Sequence, residues 1–266
     1  MCHIARMQSP RNPTRRNRNI GTAKQGHSQD NALVIPSRAD GPHWLERIGD
    51  YSSEQRTVSG RTIRFVVEST SIGFVHPCSV SDVVHMLQLL PADDWVGLDT
   101  FVFRQPTRKQ LTLSPVWGRL QYYAEITTLR RKRLSEGPTI FLDAVITEKP
   151  IVWHTSLDPD DSKELDRLRA DGHAVRRNGR KHEIIVTSQS ARNTQLFRTL
   201  LHEIGHWFDW LSKVEVPASR GADYDALERE YFARPTAERE AFAHRYADSE
   251  RRRLEEIGAI PFDRMP

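Results

Sequence analysis

The segment Thr194–Lys213, TQLFRTLLHEIGHWFDWLSK, constrains this chain more than any other. Leu196, Leu200, Ile204, Phe208 and Leu211 recur at spacings of three to four, the mark of one apolar helix face. Before it the pattern is that of strands. Arg61–Glu68 (RTIRFVVE), Trp95–Phe103 and Gly118–Ile126 carry β-branched and aromatic residues at strand density. Thr139–Ile146 reads as a buried strand that follows a break at Gly137-Pro138. Ser81–Leu90 reads as a helix capped by Ser79 or Ser81 and stopped before Pro91. A short charged helix is expected over Asp160–Ala170, and Ala174–Arg176 can pair with Glu183–Thr187 across an Asn178-Gly179 turn. After the long helix come a linker with Pro217 and Gly221 and a helix from about Asp223 to Ala233. A last helix, opened by Pro235 and Thr236, runs to about Ile257. Strands first and helices after define an α+β fold.

Three stretches follow from this pattern. Residues 1–32, rich in Arg, Asn, Ser, Pro and Gly, read as a disordered basic leader. Residues 33–135 form a β-rich part, separate or integral to the same domain, and 136–266 hold the helical part. Six of the 39 Lys/Arg and none of the 35 acids fall within residues 1–29, so the rest is close to neutral. A neutral body argues against a specific nucleic-acid surface, although the leader can touch anionic surfaces without specificity. A mitochondrial transit peptide is a competing reading of the leader, weakened by Pro10 and Pro13. No apolar run reaches membrane-span length, and the start has no apolar core of a secretory signal. Two cysteines, Cys2 and Cys78, build no disulfide framework, and Cys78 is expected to be a buried small side chain. A cytoplasmic location or export by a signal-independent route is expected. Arg130–Arg133 reads as a solvated loop, and the six tryptophans as core or groove residues.

His202-Glu203-Ile204-Gly205-His206 is a His-Glu-x-x-His motif set on the long helix. Positions i and i+4 share a face, so both imidazoles can reach one metal ion, for which zinc is the usual choice. Glu203 is rotated away from them and can act on the water as a general base. The plain alternative is histidines and acids meeting by chance on a solvated face. The apolar stripe avoids both histidines, and Gly205 costs a helix about 1 kcal/mol relative to Ala unless something approaches closely there. A catalytic zinc needs a third protein ligand. In REAFAHRYAD, Glu240, Ala243, His244 and Ala247 share a helix face, and both Glu240 and His244 can ligate. Either has an ordinary reading too: Glu240 as a first-turn acid favoured by the helix dipole, His244 as a packing or supporting histidine.

HEIGH followed by a glutamate on a downstream helix resembles the gluzincin metallopeptidases. HEIGHWFD is similar to the lethal-factor type, and Glu240-x-x-Ala243-His244-x-Tyr246 resembles the second motif of that type and of ImmA-like peptidases. The resemblance covers about residues 183–250 and departs from both families at His244. It implies a zincin-like fold over 136–266, with a small mixed sheet packed on the active-site helix. It implies Zn2+ held by His202, His206 and Glu240, with His244 as the alternative third ligand, and Glu203 as base. It also implies a protein or peptide substrate laid along an edge strand, for which His182–Ser188 is the candidate. An upstream tyrosine would stabilise the oxyanion, Tyr231 ahead of Tyr224, and Asp209 would orient the site. The reading from another class is a metal-binding regulatory or toxin-associated protein that recognises a partner without turnover.

Overall fold

Side-chain alternation organises the first half of the chain. The structure, a computed structural model, describes residues 46–113, 116–147 and 149–266, so the leader expected over 1–32 lies outside the described residues. Eleven strands are described: β1 (Arg47–Ile48), β2 (Tyr51–Val58), β3 (Arg61–Glu68), β4 (Phe74–Val75), β5 (Thr100–Arg104), β6 (Gly118–Thr128), β7 (Arg133–Asp143), β8 (Val145–Ile146), β9 (Ile151–His154), β10 (Ala174–Asn178) and β11 (Lys181–Ile185). Six of them form one mixed sheet in the order β1-β6-β7-β5-β3-β2, in which β3, β5 and β7 are parallel neighbours. β2 and β6 are antiparallel to β3 and β7, and β1 meets only the far end of β6, at Thr127 and Thr128. The β2–β3 turn places Ser59 and Gly60 at positive φ, as a two-residue hairpin requires.

Ile63, Phe65, Phe101, Phe103, Ile140 and Leu142 point to the sheet face covered by helices. Val66, Val102 and Phe141 point to the other, with Ile48. Two residues beyond these last three, Glu68, Arg104 and Asp143 end their parallel strands side by side. Arg119, only partly buried and paired with Phe141, extends this row of alternating charge. Burial pushes the Asp143 carboxyl up to about 6, against the pull of Arg119 and Arg104.

Two strand expectations change. The strand expected from Trp95 begins only at Thr100, because Ala92–Trp95 is a 3-10 turn that buries Trp95, and Gly97 turns the chain at φ 82°. The expected break at Gly137-Pro138 does not occur, and β7 runs through it. Opposite Pro138, β6 carries a bulge at Tyr122 and Tyr123, where a residue without an N–H is tolerated. The bulge also switches parity: Leu120 and Tyr122 face the helices, whereas Ala124 and Ile126 face away.

α1 (Val80–Leu89) starts at a capping box of Ser79 with Asp82, and α2 (Arg108–Leu113) follows β5. Gly179 and Arg180, one residue later than the expected Asn178-Gly179 turn, join β10 to β11, since Asn178 already pairs with Lys181; with β9 these strands form a second sheet packed on α3 (Pro159–Ala170). Residues 135 and 136 are neighbours within β7, so the β-rich and helical parts share one sheet. The long helix extends beyond its expected bounds. α4 (Ser188–Thr194), α5 (Leu200–Trp210) and α6 (Val216–Ser219) are joined by π turns at Gln195–Thr199 and Leu211–Glu215. Pro217, read as part of a linker, lies in α6 just after the second π turn, where the widened backbone accommodates its missing N–H. α7 (Tyr224–Ala233), capped by Asp223, and α8 (Thr236–Glu256) are the last of the described helices. Among the described residues, no helix is long and apolar enough to cross a membrane.

Candidate metal centre

α5 and α8 meet where neither has bulk. A Cβ on Gly205 would lie 3.0 Å from Tyr246 Cβ and 3.1 Å from both Cα and O of Ala243. The close approach expected from a glycine at this position is therefore made by the α8 backbone. It carries Glu240, in the first turns of α8, onto the histidines of α5.

His202 Nε2 and His206 Nε2 lie 3.1 Å apart, and Glu240 Oε2 lies 3.3 Å from the first and 3.6 Å from the second. A tetrahedral zinc with bonds of about 2.1 Å has ligand–ligand edges of about 3.4 Å. The three observed edges bracket that value, so these side chains fit one face of such a tetrahedron, and the group could hold a metal ion. Both histidine side chains are mostly buried, while that of Glu240 is 44% exposed, which leaves one side of the group open. Burial resists ionisation of Glu240, but its bonds to His202 and His206 outweigh that and hold the carboxyl well below the usual range. Burial likewise disfavours protonated His206, and the bond to Glu240 with the charge of Glu203 reverses the balance. The buried His202 Nδ1 has no hydrogen-bond partner among the described residues.

Glu203 stands outside this group of three. It is 8% exposed, and its Oε2 accepts the Leu120 backbone N–H at 2.7 Å. That donor belongs to the side of β6 away from β7. Because β1 covers only Thr127 and Thr128, residues 118–125 of β6 have no strand neighbour on that side among the described residues. Gly118 lets this strand lie against the helical layer: a Cβ there would fall 2.8 Å from Phe141 O and 3.0 Å from Thr199 Cγ2. The strand beside the site helix is therefore β6, not His182–Ser188, whose strand β11 sits in the second sheet between β9 and β10.

The remaining expected residues fall in two places. The His244 ring packs 4.4 Å from that of His202, and its Nε2 accepts from Arg167 Nη1 at 3.4 Å. Burial, with repulsion from His202 and Arg167, pushes its pKa down to about 4, so His244 is neutral near pH 7. It supports the group's flank and is not among the three converging ligand atoms. Tyr231 is buried in an aromatic cluster with Tyr122, Trp210 and Phe232, its hydroxyl 3.1 Å from that of Tyr122. No contact brings it to the histidines. Tyr224 stacks edge-on to Trp210 at 6.3 Å and is partly exposed. Asp209 is fully buried and is held by Lys213 and Arg234 rather than by a histidine. Those two cations, overcoming burial, lower its pKa.

Leu120, Arg167 and Tyr122 were not legible as site neighbours. Leu120 contributes a backbone N–H, which no side chain announces. Arg167 comes from a helix 77 residues distant in sequence from His244. No protein-family model, curated protein or solved structure matches the chain.

Proposed function

We propose that this chain is a zinc-dependent metallopeptidase with His202, His206 and Glu240 as metal ligands and Glu203 as general base. The observation that carries the reading is the near-tetrahedral spacing of three donors drawn from two helices, open on the side of Glu240. Zn2+ there would supply a Lewis acid that makes water nucleophilic near neutral pH. Glu203, oriented by the Leu120 N–H, would take the proton of the attacking water and return it to the departing amine. The side of β6 that no described strand covers leaves backbone groups beside α5 for an extended peptide, although its Leu120 N–H is already taken by Glu203. The mixed sheet with an antiparallel strand next to the site helix supports the zincin-like reading of the fold.

A second reading, a metal-binding protein that recognises a partner without turnover, draws on the same Leu120–Glu203 bond, which gives the carboxylate a structural task. One experiment separates them. The freshly purified chain is assayed for bound metal, and a proteome is then exposed to wild type and to Glu203→Gln while new termini are mapped by mass spectrometry. One zinc per chain with termini produced by wild type alone supports the peptidase. Zinc with no new termini favours the binding protein, and absence of zinc removes both.

A further inference from the structure

Arg167 of α3 reaches the flank of the metal group by direct contact. Its Nη1 donates to His244 Nε2 at 3.4 Å, and the His244 ring lies 4.4 Å from that of His202. His244 stands one turn of α8 beyond Glu240, about 6 Å along the helix axis. α3 also stands at one end of the uncovered stretch of β6. Its Leu165 and Leu168 pack with Trp117, the residue before Gly118. A peptide laid beside residues 118–125 of β6 therefore meets α3 at the Gly118 end. The protein itself leaves much of this guanidinium unused. Arg198 takes both oxygens of Glu164, each at 2.9 Å, and Arg167 keeps only a 3.7 Å contact with that carboxylate. Its Nε and Nη2 make no hydrogen bond among the described residues and are open to solvent, and the side chain is 32% exposed. The neighbouring cations are committed: Arg198 holds Glu164 and Asp171, and Arg251 holds Asp171 and Glu255.

We infer that Arg167 selects substrates that carry an acidic side chain close to the scissile bond, on the side of the peptide that faces α3. The inference rests on the peptidase reading and names the class of its substrate. An extended chain advances about 3.3 Å per residue, so the acid belongs about two to three residues from the bond cleaved. Nε–H and one Nη2–H lie along a single edge of the guanidinium plane. That edge matches the two oxygens of a carboxylate, and an ionised acceptor strengthens both bonds. While Nη1 stays on His244, the Nε–Nη2 edge remains available to the substrate.

The test compares full-length wild type, Arg167→Gln and Arg167→Glu on peptides that carry Glu, Gln or Lys at successive positions on either side of a mapped cleavage site. Wild type should favour Glu over Gln by about tenfold in kcat/KM, on one side of the bond only, and the ratio should shrink as salt is added. Arg167→Gln should bring the ratio close to unity, and Arg167→Glu should turn the preference towards Lys. A ratio taken within one variant does not depend on its zinc content or folded fraction, so a merely structural role for Arg167 leaves it unmoved. A wild-type ratio close to unity, or a preference for Glu that the variants retain, overturns the inference and leaves the peptidase reading intact. Should one variant fail to fold, the other decides. If wild type cleaves nothing, the peptidase reading has failed, and binding of fluorescently labelled alanine-based peptides, read by anisotropy, decides whether Arg167 forms a carboxylate subsite. Tighter binding of the Glu than of the Gln peptide by wild type, lost in Arg167→Gln, upholds it; equal binding, or a difference that Arg167→Gln keeps, overturns it.

Discussion

At the scale of single residues, four side chains carry separable tasks. Glu203→Gln retains an oxygen for the Leu120 N–H but cannot accept a proton, so fold and zinc content should persist. Peptide cleavage should fall by about two to four orders of magnitude, measured as kcat on any substrate found by terminus mapping; equal rates would remove Glu203 as the base. Glu240 and His244 share a helix face, yet only the Glu240 oxygen converges with both histidine nitrogens. Glu240→Ala should therefore weaken zinc binding more than His244→Ala does. The latter should cost about 10–100-fold, as for a residue that orients a ligand. Competition with a chelator of known affinity gives the order, and the reverse order would transfer the ligand role to His244. Asp143 belongs to stability, not to chemistry. Its pKa is raised to about 6, above an unfolded value near 4, so the native state holds its proton more tightly. Its contribution is thus fully present below about pH 4 and is lost as pH rises through about 6, by roughly 2 to 3 kcal/mol. Asp143→Asn should flatten that fall in urea unfolding series at pH 4 to 7; an unchanged slope would mean the carboxyl ionises normally.

Among the elements, the α5–α8 contact holds the site together. Gly205→Ala gains helix propensity of about 1 kcal/mol. The new methyl, however, meets Ala243 Cα and O and Tyr246 Cβ, backbone and branch-point atoms that cannot swing aside. Forcing the helices apart typically costs 1–3 kcal/mol, so the variant should be no more stable than wild type. It should also bind zinc more weakly, because Glu240 moves with α8. Calorimetric zinc titration beside thermal unfolding checks this, and a stabilised variant with full zinc affinity would refute it. Much at this scale was legible in advance. The period of three to four fixed the helix that bears His202 and His206, and the density of branched residues located β3 and most of β6. What the pattern could not carry was pairing. Nothing local in Gly118–Ile126 says that it lies beside α5, or that Lys181–Ile185 belongs to another sheet. Pro138 and Pro217 misled for one reason: each is tolerated because a partner or neighbouring turn, the β6 bulge or the second π turn, removes the need for its N–H.

For the whole molecule, distant segments are tied by buried charge. Arg192 of α4 is paired with Asp82 of α1 and donates to Phe262 O, while Asp82 also accepts the Met265 N–H. Both partners are essentially buried, so Asp82→Ala strands a cation and should cost about 3–5 kcal/mol of global stability. Urea unfolding measures the loss, and limited proteolysis should show residues 262–265 released first; a change below 1 kcal/mol would show that water replaces the carboxylate. The bulge at Tyr122 and Tyr123 has a consequence of another kind. On either side of it β6 buries opposite faces, so the strand behaves like a text with a reading frame. Tyr122 and Tyr123 together stand opposite Pro138 alone, between the pairs Gln121–Thr139 and Ala124–Gly137, so one of them is a surplus letter. Deleting the exposed Tyr123 would restore one-to-one pairing, with Tyr122 still towards the helices and Ala124 still among Ile48, Val66, Val102 and Phe141. At this point, unlike elsewhere in the strand, homologous chains can drop a letter without losing the frame.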